Sequence, residues 1–199
     1  YPGNIIPQSE LSATAQKMGS SNTNAPIASS SLAFNDGLKL EVKYTSITWA
    51  GGKRMSAAAD KEKGERARGM INKGAEANPL GEFTASADVT LGGKKVAAGA
   101  YDLAFTIDAD LKWHLVLTSK ENKDNKLDWK LELTDSGHES KRLAIWVQAG
   151  DADGSAMMGI AFGKMACMIP CGKGGAAEKS DGGGHGKGDA KGEGHGKNK

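Results

Sequence analysis

DVTLGGKKVAAGAYDLAFTIDADLKWHLVL, residues 88–117, reads as three β-strands in succession. Val89 and Leu91 flank Thr90. Tyr101, Leu103, Phe105 and Ile107 share one face of the next strand, and Trp113, Leu115 and Leu117 share one face of the third. A period of two specifies strands with one buried face and one wet face. Gly92-Gly93 is a two-residue hairpin signal, because both positions tolerate φ > 0. Ala98-Gly99 and Asp108-Ala109-Asp110 mark the turns that follow. The stretch contains no catalytic constellation.

The same alternation extends both ways. Upstream, Phe83, Ala85, Ala87, Val89 and Leu91 read as one strand, and Leu38 to Trp49 as another. In the latter the apolar phase slips from Tyr44 to Ile47, which predicts a bulge or a bend. Downstream, Leu127 to Leu133, Leu143 to Val147 and Ala156 to Phe162 read as strands. Asp135–Ser140 and Gly150–Gly154 read as turns between them. About seven or eight short strands joined by hairpin-length turns predict an all-β fold, an antiparallel β-sandwich. Its core is expected to hold Val89, Leu91, Tyr101, Leu103, Phe105, Trp113, Leu115, Trp129, Leu131 and Ile145.

Composition divides the 199 residues into three parts. Residues 1–36 form a low-complexity N-terminal arm whose only charges are Glu10, Lys17 and Asp36. Residues 37–171 form the sandwich domain. Residues 172–199 form a Gly/Lys/His-rich tail with 11 of the 28 glycines. Within the domain, residues 51–80 are charged and break the alternation. They read as a short helix from Ser56, its N-cap, to Ile71, or as a solvated connection. The net charge of +2 argues against nucleic acid as a partner. No apolar run approaches the roughly 20 residues that span a bilayer. The chain begins with Tyr, read here as the trace of a removed leader or of trimming.

Residues 88–117 also resemble a known family. Gly92, Gly93, Lys94, Gly99, Tyr101, Leu103 and Trp113 match the Gly-Gly-Lys hairpin, the turn-and-strand and the Trp-containing strand of DUF2911, an exported bacterial domain of unknown function. Lys73–Asn78 is similar to a further turn of that family, although Ile71-Asn72 stands where it often has Trp-Arg. The resemblance covers about residues 38–168. It implies an exported, mostly antiparallel β domain that is secreted, periplasmic or on the cell surface. It carries over no catalytic residue.

Other candidate sites are sparse. Cys167 and Cys171 could close a disulfide if Ile169-Pro170 turns the chain, could stay free, or could join His185 and His195 as soft ligands for copper, zinc or nickel. His114 and His138 read as solvated. Asp88, Asp102 and Asp108 could serve a hydrolase if they converged in a cleft. Trp146, on the polar face of its strand, is an interface candidate, as are Ile5, Ile6 and Ile27, the apolar anchors of the arm. The expectation is a non-enzymatic protein without a resident cofactor, acting in binding or assembly. Its partner would be another protein or a further copy of itself, met through the arm. Metal handling and hydrolysis are the alternatives.

Overall fold

Alternation becomes ten strands and two helices in the computed structural model, which describes residues 24–174. The strands are β1 (Ile27–Ala33), β2 (Lys39–Thr45), β3 (Gly81–Ala85), β4 (Val89–Leu91), β5 (Lys94–Val96), β6 (Gly99–Ile107), β7 (Trp113–Ser119), β8 (Lys126–Lys130), β9 (Thr134–Ala149) and β10 (Ser155–Lys173). The helices are α1 (Lys53–Ala59) and α2 (Glu65–Ala77). One antiparallel sheet has the order β1-β2-β3-β6-β7-β8, and a second has β5-β4-β10-β9. The two face each other as a sandwich.

The core lies where alternation predicts it. Phe83, Leu91, Leu103, Leu115, Leu117, Ile145 and Met158 are all but sealed from solvent. Of the ten expected core residues, Phe105 and Trp113 differ, being only partly buried against the cluster. They face each other diagonally near the turn of the β6–β7 hairpin, where Ile107 pairs with Trp113.

The stretch 83–91 is two strands, because the chain leaves the larger sheet after Ala85 and enters the smaller at Val89. The step of four residues preserves parity, so Phe83, Ala85, Val89 and Leu91 all face the core. The phase slip after Tyr44 is a similar transit. Thr45 and Ser46 are both buried, and the chain then runs along β9, with Leu143 N donating to Ile47 O and Trp49 N to Lys141 O, each 2.8 Å. The expected turn at Asp135–Ser140 lies inside β9 instead. Gly137, at φ 74°, kinks the strand there, and Asp135 Oδ1 accepts its N–H at 2.8 Å.

The expected single helix is two. Asp60 stops α1 in extended conformation, and its carboxylate accepts the N–H groups of Glu62 and Lys63 at 2.9 and 2.8 Å. The Arg68 guanidinium donates to the Ala58 and Asp60 carbonyls at 2.9 and 2.8 Å, satisfying the end of α1. Ser56 lies inside α1 and caps nothing.

Both lateral openings of the sandwich are closed by side chains. On one side the Ser30 hydroxyl of β1 accepts from Val147 N at 3.1 Å and donates to Val147 O at 3.4 Å. On the other, Trp129 Nε1 of β8 donates to Leu91 O at 2.7 Å. The residues of β1 belong to the arm by composition, yet they form an edge strand of the larger sheet.

Candidate functional site: a histidine held between two carboxylates

Residues on the outer face of the larger sheet are set by ladder register. Thr106, His114 and Lys130 form one cross-strand row of β6, β7 and β8, and Ala104, Val116 and Asp128 form the next. Asp128 is thus the diagonal neighbour of His114, within reach of an imidazole. Asp108, just past the end of β6, reaches the ring from the other side. His114 Nδ1 lies 2.6 Å from Asp128 Oδ1, and Nε2 lies 3.0 Å from Asp108 Oδ2. The His114 side chain is only 18% exposed.

Helix α2 roofs this corner. Asn72 Nδ2 donates to Ile107 O and Asn72 Oδ1 accepts from Ile107 N, both at 2.9 Å. The amide thereby supplies the two bonds of a ladder partner where β3 no longer accompanies β6. Between helix and sheet lies a shallow cleft of about 380 Å³, lined by Asn72, Lys73, Glu76, Thr106, Asp108, His114 and Asp128. Lys126 pairs with Glu76 at 3.4 Å across its rim.

The electrostatics follow from the geometry. The hydrogen bond to Asp128, then that to Asp108, raises the His114 pKa against a smaller opposing effect of burial. The Asp108 carboxyl is held below its usual range, first by the Lys112 N–H at 2.8 Å and then by His114. With both nitrogens bonded to carboxylates, the ring is favoured as an imidazolium with no free lone pair. Below its raised pKa such a ring is a positioned cation.

The imidazolium's contribution is complete below the ordinary imidazole range, about pH 6.5, and is lost as pH rises through the raised folded value. That of Asp108 is complete above the carboxylate range and lost as pH falls through its lowered value. The clasp is therefore strongest between the two ranges. Urea melts of wild type and His114→Gln should differ by about 1–2 kcal/mol near pH 5.5, after allowance for the exposed Asp128, and the gap should narrow as pH rises through the raised folded value.

The other candidates are placed as follows. Cys167 and Cys171 do not form the disulfide, since both thiols are free and buried. No turn occurs at Ile169-Pro170; β10 runs straight through, and four extended residues separate the pair by about 13 Å. Burial pushes both thiols up to about 11. His185, His195, Ile5 and Ile6 lie outside the described residues, and among the described residues no His, Cys, Asp and Glu groups gather as a metal site.

Asp88, Asp102 and Asp108 do not converge. Asp88 accepts from Ala98 N and pairs with Lys95, whereas Asp102 pairs with Lys120 and Lys123. Asp102 sits within β6 and Asp108 just past its end, six residues on and about 20 Å away along the chain. Ile27 is exposed at the start of β1. His138 is also exposed, its Nδ1 3.1 Å from Ser136 O.

Trp146 is half-buried, lying across Gly159 of β10, where an added Cβ would sit 2.1 Å from the indole. Gly159→Ala should cost about 1–3 kcal/mol by overpacking and shift the tryptophan emission toward the red. Thermal melts and fluorescence check this.

Sequence reasoning singled out Asp108 but read His114 as solvated and overlooked Asp128. The signal for the pair was their diagonal placement, readable only once the β7–β8 register is known.

The family model for a protein of unknown function, DUF2911, matches residues 34–164, about two thirds of the chain. The match covers β2 through the first half of β10, including the clasp and its roof, and begins after β1. Neither the curated proteins nor the solved structures compared with the chain gave a match.

Proposed function

The chain belongs to the DUF2911 family, and from that premise we propose that it is a non-enzymatic binding domain whose recognition surface is the cleft beneath α2. The observation that carries the reading is the double engagement of His114 by Asp108 and Asp128. A ring so held neither accepts a proton from substrate nor offers a lone pair. It fixes the positions of two carboxylates instead. Glu76, Asp108 and Asp128 line the cleft and, when ionised, only accept hydrogen bonds. The complementary ligand is rich in donors, a polyhydroxylated or amino-bearing small molecule. Lys73 and Thr106 add donors for an acceptor on the same ligand.

Work outside the cytoplasm is part of this reading, supported by the family resemblance. Fractionation of the native host should recover the protein outside the cytoplasm.

The ligand reading is tested by two-dimensional NMR of the full chain titrated with simple sugars and with polyamines. Saturable shifts of the Asn72 side-chain amide, Thr106 and His114, lost in Asp128→Asn, are expected. Absence of shifts at tens of millimolar probe, on the scale of weak binding, would remove the cleft as a binding site. Consumption of a probe dependent on His114 would restore the hydrolase alternative.

A further inference from the structure

Strand β1 is held differently from every other strand. It buries no residue, whereas each of β2 to β10 buries at least one. Ala28 and Leu32 merely lean against the core cluster. Its attachments are the ladder to β2, from Ile27↔Thr45 to Ala33↔Lys39, the Pro26 carbonyl accepting from Ser46 N at 2.8 Å, and the Ser30 hydroxyl on Val147. The slot it fills is built entirely by the rest of the chain. β2 supplies an open backbone edge, and Val147 of β9 supplies an N–H and a carbonyl.

An unfilled edge of this kind recruits an extended strand, because its main-chain groups need partners. The family match begins at residue 34 and so covers the slot without its occupant.

We propose that the slot between β2 and β9 is a strand-acceptor site, and that two copies of the chain fill each other's slots by exchanging β1. The hinge is the short link between β1 and β2, in which Gly37 stands at φ 92° and can absorb a large backbone rotation. Only two of the backbone bonds, Gly37 N to Phe34 O and Phe34 N to Leu38 O, lie within that link. The ladder, the Pro26 bond and the Ser30 clasp re-form unchanged in the exchanged pair. Reciprocal exchange is isologous and closes as a two-fold dimer. This inference is independent of the ligand cleft, and either can fail alone.

Register provides the test. Ser31 of β1 is the direct partner of Glu41 of β2, and the native thiols are buried. Full-length Ser31→Cys and Glu41→Cys proteins are mixed, incubated at the onset of melting, cooled and oxidised. A disulfide between unlike chains, in excess of random pairing and rising with protein concentration, is expected, and Ser30→Ala should speed its appearance. A single chain carrying both substitutions calibrates the geometry. If the double variant closes only on itself at every concentration, and mixed single variants give no excess of unlike pairs, exchange is overturned. Should the double variant fail to close, Ser29→Cys with Lys43→Cys, the neighbouring register pair, repeats the experiment with the same criteria.

Discussion

Trp129→Ala is expected to lose about 3–5 kcal/mol of stability. Trp129 is 5% exposed although it sits on an edge strand, because its ring spans the lateral opening between the sheets. Its indole N–H satisfies Leu91 O, and the Lys94 ammonium lies 5.5 Å from its ring centroid while donating to Asp128 O. Gly92 passes directly beneath, where a Cβ would lie 2.7 Å from the ring. No residue present can fill the vacancy, and Leu91 O loses its side-chain donor. Trp129→Phe separates these effects, retaining most of the area while removing the donor, and should cost about 1–3 kcal/mol. Urea denaturation of the three proteins checks the order. Equal losses for both variants would mean that the hydrogen bond, not the ring, closes the edge.

Leu103→Ala is expected to cost about 2–5 kcal/mol, at the upper end of that range. Leu103 is wholly buried in the middle of β6, between Gly81 on β3 and Leu117 on β7. Collapse around the cavity would have to move strands paired on both sides. Leu38→Ala, at the margin of the core just before β2, provides the comparison and should cost clearly less. A Leu103 variant no less stable than the Leu38 variant would show that the sheet yields locally.

Much of the fold was legible because alternation is a local signal. Tyr101, Leu103, Leu115 and Leu117 declare their inward faces without knowledge of any neighbour. Sheet membership is not local in that sense. The crossing at Ser86–Asp88 left no trace, since a four-residue step keeps the same parity and reads as one continuous strand. Pro170 misled the reading of the cysteines. A proline in β10 suggests a turn, but it is exposed and its carbonyl takes the Gly92 N–H at 2.7 Å, so the strand stays paired through it.

The clasp was illegible for a related reason. His114 and Asp128 are fourteen residues apart, and their meeting depends on the register fixed by the turn between β7 and β8. Ser30 gave no signal at all. A serine among serines becomes a fastener only because β9 passes beside it, 117 positions later.

The two cysteines acquire a different meaning from their placement in β10. A thiol with its pKa near 11, sealed behind two sheets, has little thiolate to offer an oxidant or an alkylating reagent while the sandwich is closed. Passage between reducing and oxidising surroundings is therefore expected to leave these two thiols unmodified while the chain stays folded. Cys167 and Cys171 become reactive only when β10 leaves the core, and β10 is the central strand to which both β4 and β9 are bonded. The rate at which a thiol reagent labels them would therefore count the openings of the smaller sheet.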